Sequence, residues 1–405
     1  MIKNILIFLI LLCSAYFFNL AFLPLHLIYL LQFGVTGIMF AVIIIQEIYG
    51  KGEAIKHNFK GPIFLIFTGV FLSMIIARAY HNQNYALTIW AQRDMYFYLF
   101  YFFLHFLKPD IKDLEKIVLT LGILYAFSYL IQYTIYPVTI FDVRQDVDRG
   151  TIRIFIPGGA FMILSLFICL QRFYIRNELR NIFLVLLFLG VVVLTGTRSS
   201  LAGMVLVIFY SLVFSRTIRS KYVIYALLVL SLIPIYFLFH DIFIGLMETS
   251  VRESQNFQSN IRIRAAKFFL TEFFPNTLAY IFGNGQDHMG SVYGLRVYSY
   301  KIFQGFYQSD IGLIGEFSKF GLFYAIGIFW VFFKVFTTRI NPEYSYIKYY
   351  FLRTFILLFL GTPFTSPPSI ATYCIMLYII DKSMIELKAE NHKKEVKVVD
   401  EAGPG

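Results

Sequence analysis

Apolar stretches of roughly 13 to 23 residues follow one another from Ile5 to Ile380, and short segments between them hold most of the charge. A helix needs about 20 apolar residues to cross the hydrocarbon core of a bilayer. The pattern therefore predicts about twelve membrane-spanning helices, at 4–20, 28–47, 62–79, 87–107, 118–137, 155–171, 181–196, 200–215, 222–239, 314–336, 350–362 and 368–380. The last two are short, and are expected to tilt, to re-enter or to borrow neighbouring residues. One interval breaks the rhythm: 240–310 is far longer than the roughly 2–8 residues that join packed helices. The expected class is all-α, a polytopic transmembrane helical bundle whose one long external loop contains short amphipathic helices. Spans one to nine fill 1–239, the external loop 240–310, and spans ten to twelve 311–380. The Lys/Glu-rich tail 381–405 is expected to be disordered.

Composition agrees with the pattern. Hydrophobic residues make up 58% of the chain and charged residues 15%, which leaves too little polar surface to enclose a soluble core. The first span follows only Met-Ile-Lys and ends without an Ala-x-Ala-like cleavage site, so it reads as a retained helix. Orientation follows from the basic residues. With the N-terminus in the cytoplasm, the inside segments hold 21 of the 35 lysines and arginines, and both termini lie inside. The net charge of +11 then reflects topology and attraction to lipid headgroups, and no motif for nucleic acid accompanies it. Cys13, Cys169 and Cys374 all fall within apolar spans, as packing residues do, and neither a disulfide framework nor a metal site is suggested.

The polar material that remains is concentrated outside. Within the long loop, IRIRAAKFFLTEFF (261–274) has Arg264, Lys267 and Thr271 on one helical stripe and Phe268, Phe269, Phe273 and Phe274 on another, with Pro275 to stop it. FGNGQDHMG (282–290) is a Gly-rich turn, and Tyr293, Tyr298, Tyr300 and Tyr307 lead back to the membrane. A second external loop, 138–154, sets Arg144, Arg149 and Arg153 beside Asp142, Asp146 and Asp148. A third segment, TGTRSS (195–200), is a tight turn that leaves Arg198 at the interface with no acidic neighbour. Holding a guanidinium near hydrocarbon costs about 3 kcal/mol unless something compensates. Pairing with the loop aspartates or snorkelling to headgroups would serve for Arg144 and Arg149. For Arg198 and Arg264 an anion is the better partner, and a diphosphate matches the planar fork of arginine.

These segments, in this order, resemble the O-antigen ligase and polysaccharide polymerase superfamily of bacterial integral membrane proteins. LTGTRSSLAG (194–203) is similar to the family's arginine-bearing segment at the top of a helix. NIRIRAAKFFLTEFFPNTLAYIFGNGQ (260–286) is similar to its sequence of arginine, amphipathic helix and Gly-x-Gly. YQSDIGLIGEFSKFGLFYAIGIF (307–329) resembles the point where its external loop re-enters the membrane. The resemblance implies a glycosyltransferase of the bacterial cytoplasmic membrane. Its donor would be an undecaprenyl-diphosphate-linked oligosaccharide and its acceptor a glycan lipid, among membrane lipids, with a chain-length regulator or flippase as further candidate partners. It implies that Arg198 and Arg264 hold the diphosphate, with Arg262 as the less favoured neighbour and Arg149 or Arg153 as further basic contributors. The family's ligases carry a histidine where this chain has Ser309-Asp310, and the nearest histidine is His288. That departure favours a polymerase over a ligase to lipid A-core.

The chemistry asks for a cationic clamp on the leaving diphosphate and a base for the attacking hydroxyl. Asp310, at the mouth of a late span, is the first candidate base, although Ser309 or Asp310 is equally a helix N-cap. Glu316 and His288 are the alternatives, and Glu316 can instead pair with Lys319. Asp146-Val147-Asp148 is a possible Mg²⁺ or Mn²⁺ pair, but its flanking arginines make a cofactor-free, metal-free site the preferred expectation. The rival class, a transporter or a flippase for lipid-linked glycan, would need charge near mid-membrane, where Arg93-Asp94 is the one adjacent pair.

Overall fold

A computed structural model of the protein describes residues 2–49, 57–148, 151–214, 260–361 and 364–401. The expected span 222–239, the first part of the long loop and Arg149 lie outside the described residues. In chain order the helices are α1 (Ile2–Ser14), α2 (Leu25–Tyr49), α3 (Lys60–His81), α4 (Tyr85–Ala91), α5 (Leu99–Leu107), α6 (Ile111–Thr134), α7 (Gly159–Arg176), α8 (Leu179–Leu194) and α9 (Arg198–Phe214). They continue with α10 (Ile261–Thr271), α11 (Thr277–Phe282), α12 (Val292–Gln304), α13 (Leu313–Thr337), α14 (Tyr346–Ile356) and α15 (Pro367–Glu401). Among the described residues, five helices are long and apolar enough to cross a membrane, within α2, α3, α6, α7 and α13, and α1, α8 and α9 are shorter apolar helices. Large apolar side chains such as Phe64, Phe183, Phe209 and Phe333 face outward from these helices, as lipid-facing residues do.

Among the described residues the expected all-α class holds apart from one antiparallel hairpin, β1 (Gln145–Asp148) with β2 (Thr151–Ile154), in the loop 138–154. Three expected spans take other forms. Segment 87–107 is α4, a 3₁₀ turn at Arg93–Tyr98, and α5. The turn rotates its charges toward a polar partner set: Tyr16 donates to Asp94 at 3.0 Å, Arg93 pairs with Asp94 at 3.6 Å, and the Arg93 guanidinium lies 3.9 Å from the centre of the Tyr29 ring. The first part of segment 350–362 belongs to α14, whose 11 residues are too short to cross. Segment 368–380 opens α15, which runs on to Glu401 through the part of the tail expected to lack order.

Small residues set the closest helix approaches. A Cβ at Gly69 would sit 2.7 Å from the backbone nitrogen of Tyr324, and one at Gly327 would sit 3.0 Å from that of Ile66, so α3 and α13 meet backbone to backbone. At the end of the bundle marked by Lys60 and Thr337, buried carboxylates act as clips. Asp381 accepts from Tyr101, Asn58 and the His105 ring, and Glu115 accepts from Arg172 and Tyr346.

At the other end, α10, α11 and α12 form a cap with its own aromatic core of Phe269, Phe273, Tyr293 and Phe306. Asn260, Asn276 and Ser291 are the N-caps of the three helices, each side chain accepting from a first-turn amide. The cap is bonded to the bundle through a break in α13 at Gly321, where φ is 73°. The break releases the Ser318 and Lys319 carbonyls from their intrahelical bonds, and the Gly-rich turn uses them. The Asn284 and Gly285 amides donate to Ser318 O (3.2 Å) and Lys319 O (2.7 Å). On the α3 side, His81 Nδ1 accepts from Arg296 at 2.7 Å, so its Nε2 carries the proton shared with Asn284 Oδ1 at 2.9 Å. The imidazole also stacks on Tyr293 with ring centres 4.1 Å apart.

Candidate functional site

Beside the cap, the same end of the bundle holds a cavity of about 630 Å³ walled by four separate stretches of chain. The hairpin region gives Arg144, Asp146, Arg153 and Phe155. The first turn of α9 and the residue before it give Thr197, Arg198, Ser199 and Ala202. Helix α10 gives Arg262, and the turn before α13 gives Tyr307 and Asp310.

Each wall is fixed by a local cause. Thr151 donates to the Leu194 carbonyl at 2.9 Å, which lays the hairpin on the end of α8. The turn beneath it needs glycine: Gly196 has φ 61°, and a Cβ there would meet Thr151 Cγ2 at 2.7 Å. Hairpin register sets Asp146 opposite Arg153, and Arg144 grips both Asp146 oxygens, with bonds of 3.0 and 2.8 Å. That carboxylate holds the Arg144 guanidinium still further above its already high pKa. Arg153 also lies over the Phe155 ring, 5.1 Å from its centre.

The fourth wall settles a choice left open by the sequence. Gly312, with φ 54°, is the N-cap residue of α13, and no side chain caps that helix. Asp310 belongs to a 3₁₀ turn, Gln308–Ile311, and turns toward the cavity instead of capping. Glycine is required at 312 because a Cβ would fall 2.2 Å from the Leu358 carbonyl oxygen.

The cavity therefore brings Arg153, Arg198, Arg262 and Asp310 together, and adds Arg144 and Asp146. Among the described residues, four guanidinium groups face two carboxylates there, one already neutralised by Arg144. The N-terminus of α9, where the positive end of a helix dipole lies, is at the same place. Such a surface suits a compact polyanion, and Phe155 and Tyr307 offer faces on which a sugar ring can stack. Asp146 and Asp310 are the carboxylates that could contact a cation in this cavity, and among the described residues no group of three or more metal-ligating side chains occurs.

Other expected residues lie elsewhere. Arg264, the favoured arginine of its pair, does not line the cavity: its guanidinium is 5.7 Å from the Phe306 ring centre, and Arg262 takes the place there. Residues two apart on a helix differ by about 200° in direction, so only one of Arg262 and Arg264 can face a given wall. Glu316 is fully enclosed below the turn, and accepts from Tyr324 at 2.9 Å and Thr365 at 3.3 Å instead of pairing with Lys319. His288 sits in the Gly-rich turn, where its Nδ1 accepts from the Gly290 amide at 3.0 Å. Arg353, a lone charge inside the apolar segment 350–362, was not among the candidate residues, yet it reaches the first turn of α9 through Ser200 at 2.7 Å. Its position in an apolar run was the available signal.

The chain matches no model of a known protein family and no curated protein sequence.

Proposed function

We propose that the protein is a membrane glycosyltransferase that polymerises lipid-linked oligosaccharide repeat units. The donor is a glycan on undecaprenyl diphosphate, and the acceptor is a sugar hydroxyl of a second lipid-linked glycan at the outer face of a bacterial cytoplasmic membrane. The observation that carries this reading is the convergence of Arg153, Arg198 and Arg262 with Asp310 on one cavity beside the cap. The outward position of that cavity, with both termini in the cytoplasm, rests on the basic inside segments.

In this reading Arg198 and Arg262 hold the diphosphate, and Arg153 adds a third cation. Asp310 takes the proton of the acceptor hydroxyl as the hydroxyl oxygen bonds to the anomeric carbon. The bond from that carbon to the phosphate oxygen breaks, and its electron pair leaves with the lipid diphosphate. Charge grows on the leaving oxygens as the bond stretches, so fixed guanidinium groups stabilise the transition state more than the ground state. Arg144, committed to Asp146, shapes the wall more than it binds.

Two other readings draw on parts of the same structure. A ligase to lipid A-core would use the same clamp. A transporter or flippase for lipid-linked glycan draws on the two interrupted segments, the turn at Arg93–Tyr98 and the break at Gly321, with Arg93 and Asp94 at the first. One assay separates them. Purified protein given only undecaprenyl-diphosphate-linked repeat units is expected to yield a ladder of longer lipid-linked chains without added nucleotide. A ligase would leave the donor unextended until lipid A-core was supplied. Movement of unextended donor between leaflets, with no ladder under either condition, would overturn the enzyme reading.

A further inference from the structure

Arg353 lies on α14, against α9. The two helices approach closely where a Cβ at Gly203 would touch the Leu357 side chain at 3.2 Å. One guanidinium nitrogen of Arg353 donates to Ser200 Oγ at 2.7 Å. Among the described residues its enclosed Nε has no hydrogen-bond partner, and no carboxylate lies within ion-pair distance of it. Its titratable neighbours are instead the neutral phenols of Tyr350 and Tyr373. A cation held within an apolar segment without an acid is costly, and such residues mark functional places when a partner can be named. The partner here is reached through the helix turn that Arg353 grips. Ser200 belongs to the turn of α9 whose Arg198 and Ser199 line the cavity.

We propose that Arg353 is a positioning residue of the anion site: through Ser200 it fixes the first turn of α9, and with it the direction of Arg198, and it adds a fixed positive charge behind the cavity wall. The role rests on the reading of the cavity as a diphosphate site. It follows from two effects with the same sign. A guanidinium-to-hydroxyl bond is a charge-assisted one, and it removes the freedom of the turn to tilt away from the cavity. A fixed cation in a low-dielectric layer also raises the potential felt by an anion nearby, more than the same charge in water would. The Ser200 hydroxyl, which accepts from Arg353, keeps its own proton for donation.

Inorganic pyrophosphate is the probe, and the full chain in lipid nanodiscs is the sample. Its affinity is measured at several salt concentrations, beside the thermal midpoint, for the unaltered protein and for Arg198→Ala, Arg353→Met, Arg353→Lys and Ser200→Ala. Arg353→Met is expected to bind pyrophosphate about tenfold more weakly, as loss of a charge-assisted bond does, and with a shallower salt dependence. Arg353→Lys is expected to recover most of the affinity because it keeps the charge, and Ser200→Ala to lose less than Arg353→Met. A lowered midpoint with unchanged pyrophosphate affinity in Arg353→Met would make the residue structural and overturn the proposal. If Arg353→Met yields no folded protein, Ser200→Ala decides, and unchanged affinity there overturns it equally. Failure of the unaltered protein to bind, or equal binding by Arg198→Ala, would strike the diphosphate reading itself.

Discussion

Arg198→Lys is expected to lower glycan transfer roughly 100-fold or more, the size of effect seen when one fixed donor to a developing anion is removed, while the protein accumulates normally. Lysine keeps the charge but loses the planar fork that can give two parallel hydrogen bonds to one phosphate. It also brings a shorter set of donors to a wall whose backbone is fixed by the Gly196 turn and the hairpin above it. Arg262→Ala is expected to be nearly as damaging. Arg264→Ala should be almost silent, because that side chain lies over Phe306 and not at the cavity. The measurement is the chain-length profile of polysaccharide in a complemented mutant strain, with protein level followed in parallel. Parental profiles from both Arg198→Lys and Arg262→Ala would show that these arginines are structural.

The second large effect is on folding. Gly283→Ala would set a Cβ 2.2 Å from the Lys319 carbonyl oxygen and 2.6 Å from the Gly321 nitrogen, at a φ of 78° that side chains rarely adopt. Both neighbours are backbone, so neither can rotate aside. The expected loss is about 2–4 kcal/mol, from strain together with loss of the bonds the turn makes. The damage should be local before it is global. The Asn284 and Gly285 amides, which donate into the break of α13, should lose their protection from hydrogen exchange first. Gly190→Ala is the control: nothing lies within 4 Å of its would-be Cβ, and alanine is the better helix former. If Gly283→Ala kept native exchange protection at those amides, the cap would not be held by this turn.

Much of this arrangement is legible in the sequence because it follows from single-helix properties. Apolar runs long enough to cross a bilayer gave α2, α3, α6, α7 and α13, and the stripe of phenylalanines with Pro275 behind it gave α10. What escaped depends on partners far away in the chain. The run 87–107 has a continuous apolar character, but Arg93 and Asp94 turn toward Tyr16 and Tyr29, which no local pattern announces. The break at Gly321 is worthwhile only because the turn at Asn284 and Gly285 fills the released carbonyls. For the cavity, the arginines at 153, 198 and 262 and Asp310 were readable as charge on short segments expected to face outward. The choice of Arg262 over Arg264 was not, because two arginines on one helix turn differ in direction by an angle whose zero is set by the tertiary packing of α10. Asp310 read equally well as a helix cap until Gly312 proved to occupy that place.

The most direct measurement is an experimental structure of the full chain in nanodiscs with undecaprenyl diphosphate bound. The account predicts density for the two phosphates within hydrogen-bonding distance of Arg198 and Arg262, with Arg153 alongside, and the Asp310 carboxylate facing the side from which an acceptor hydroxyl would approach. Diphosphate density elsewhere, whether beside Arg93 or beside Arg264 at Phe306, with the cavity empty of it, would contradict the account.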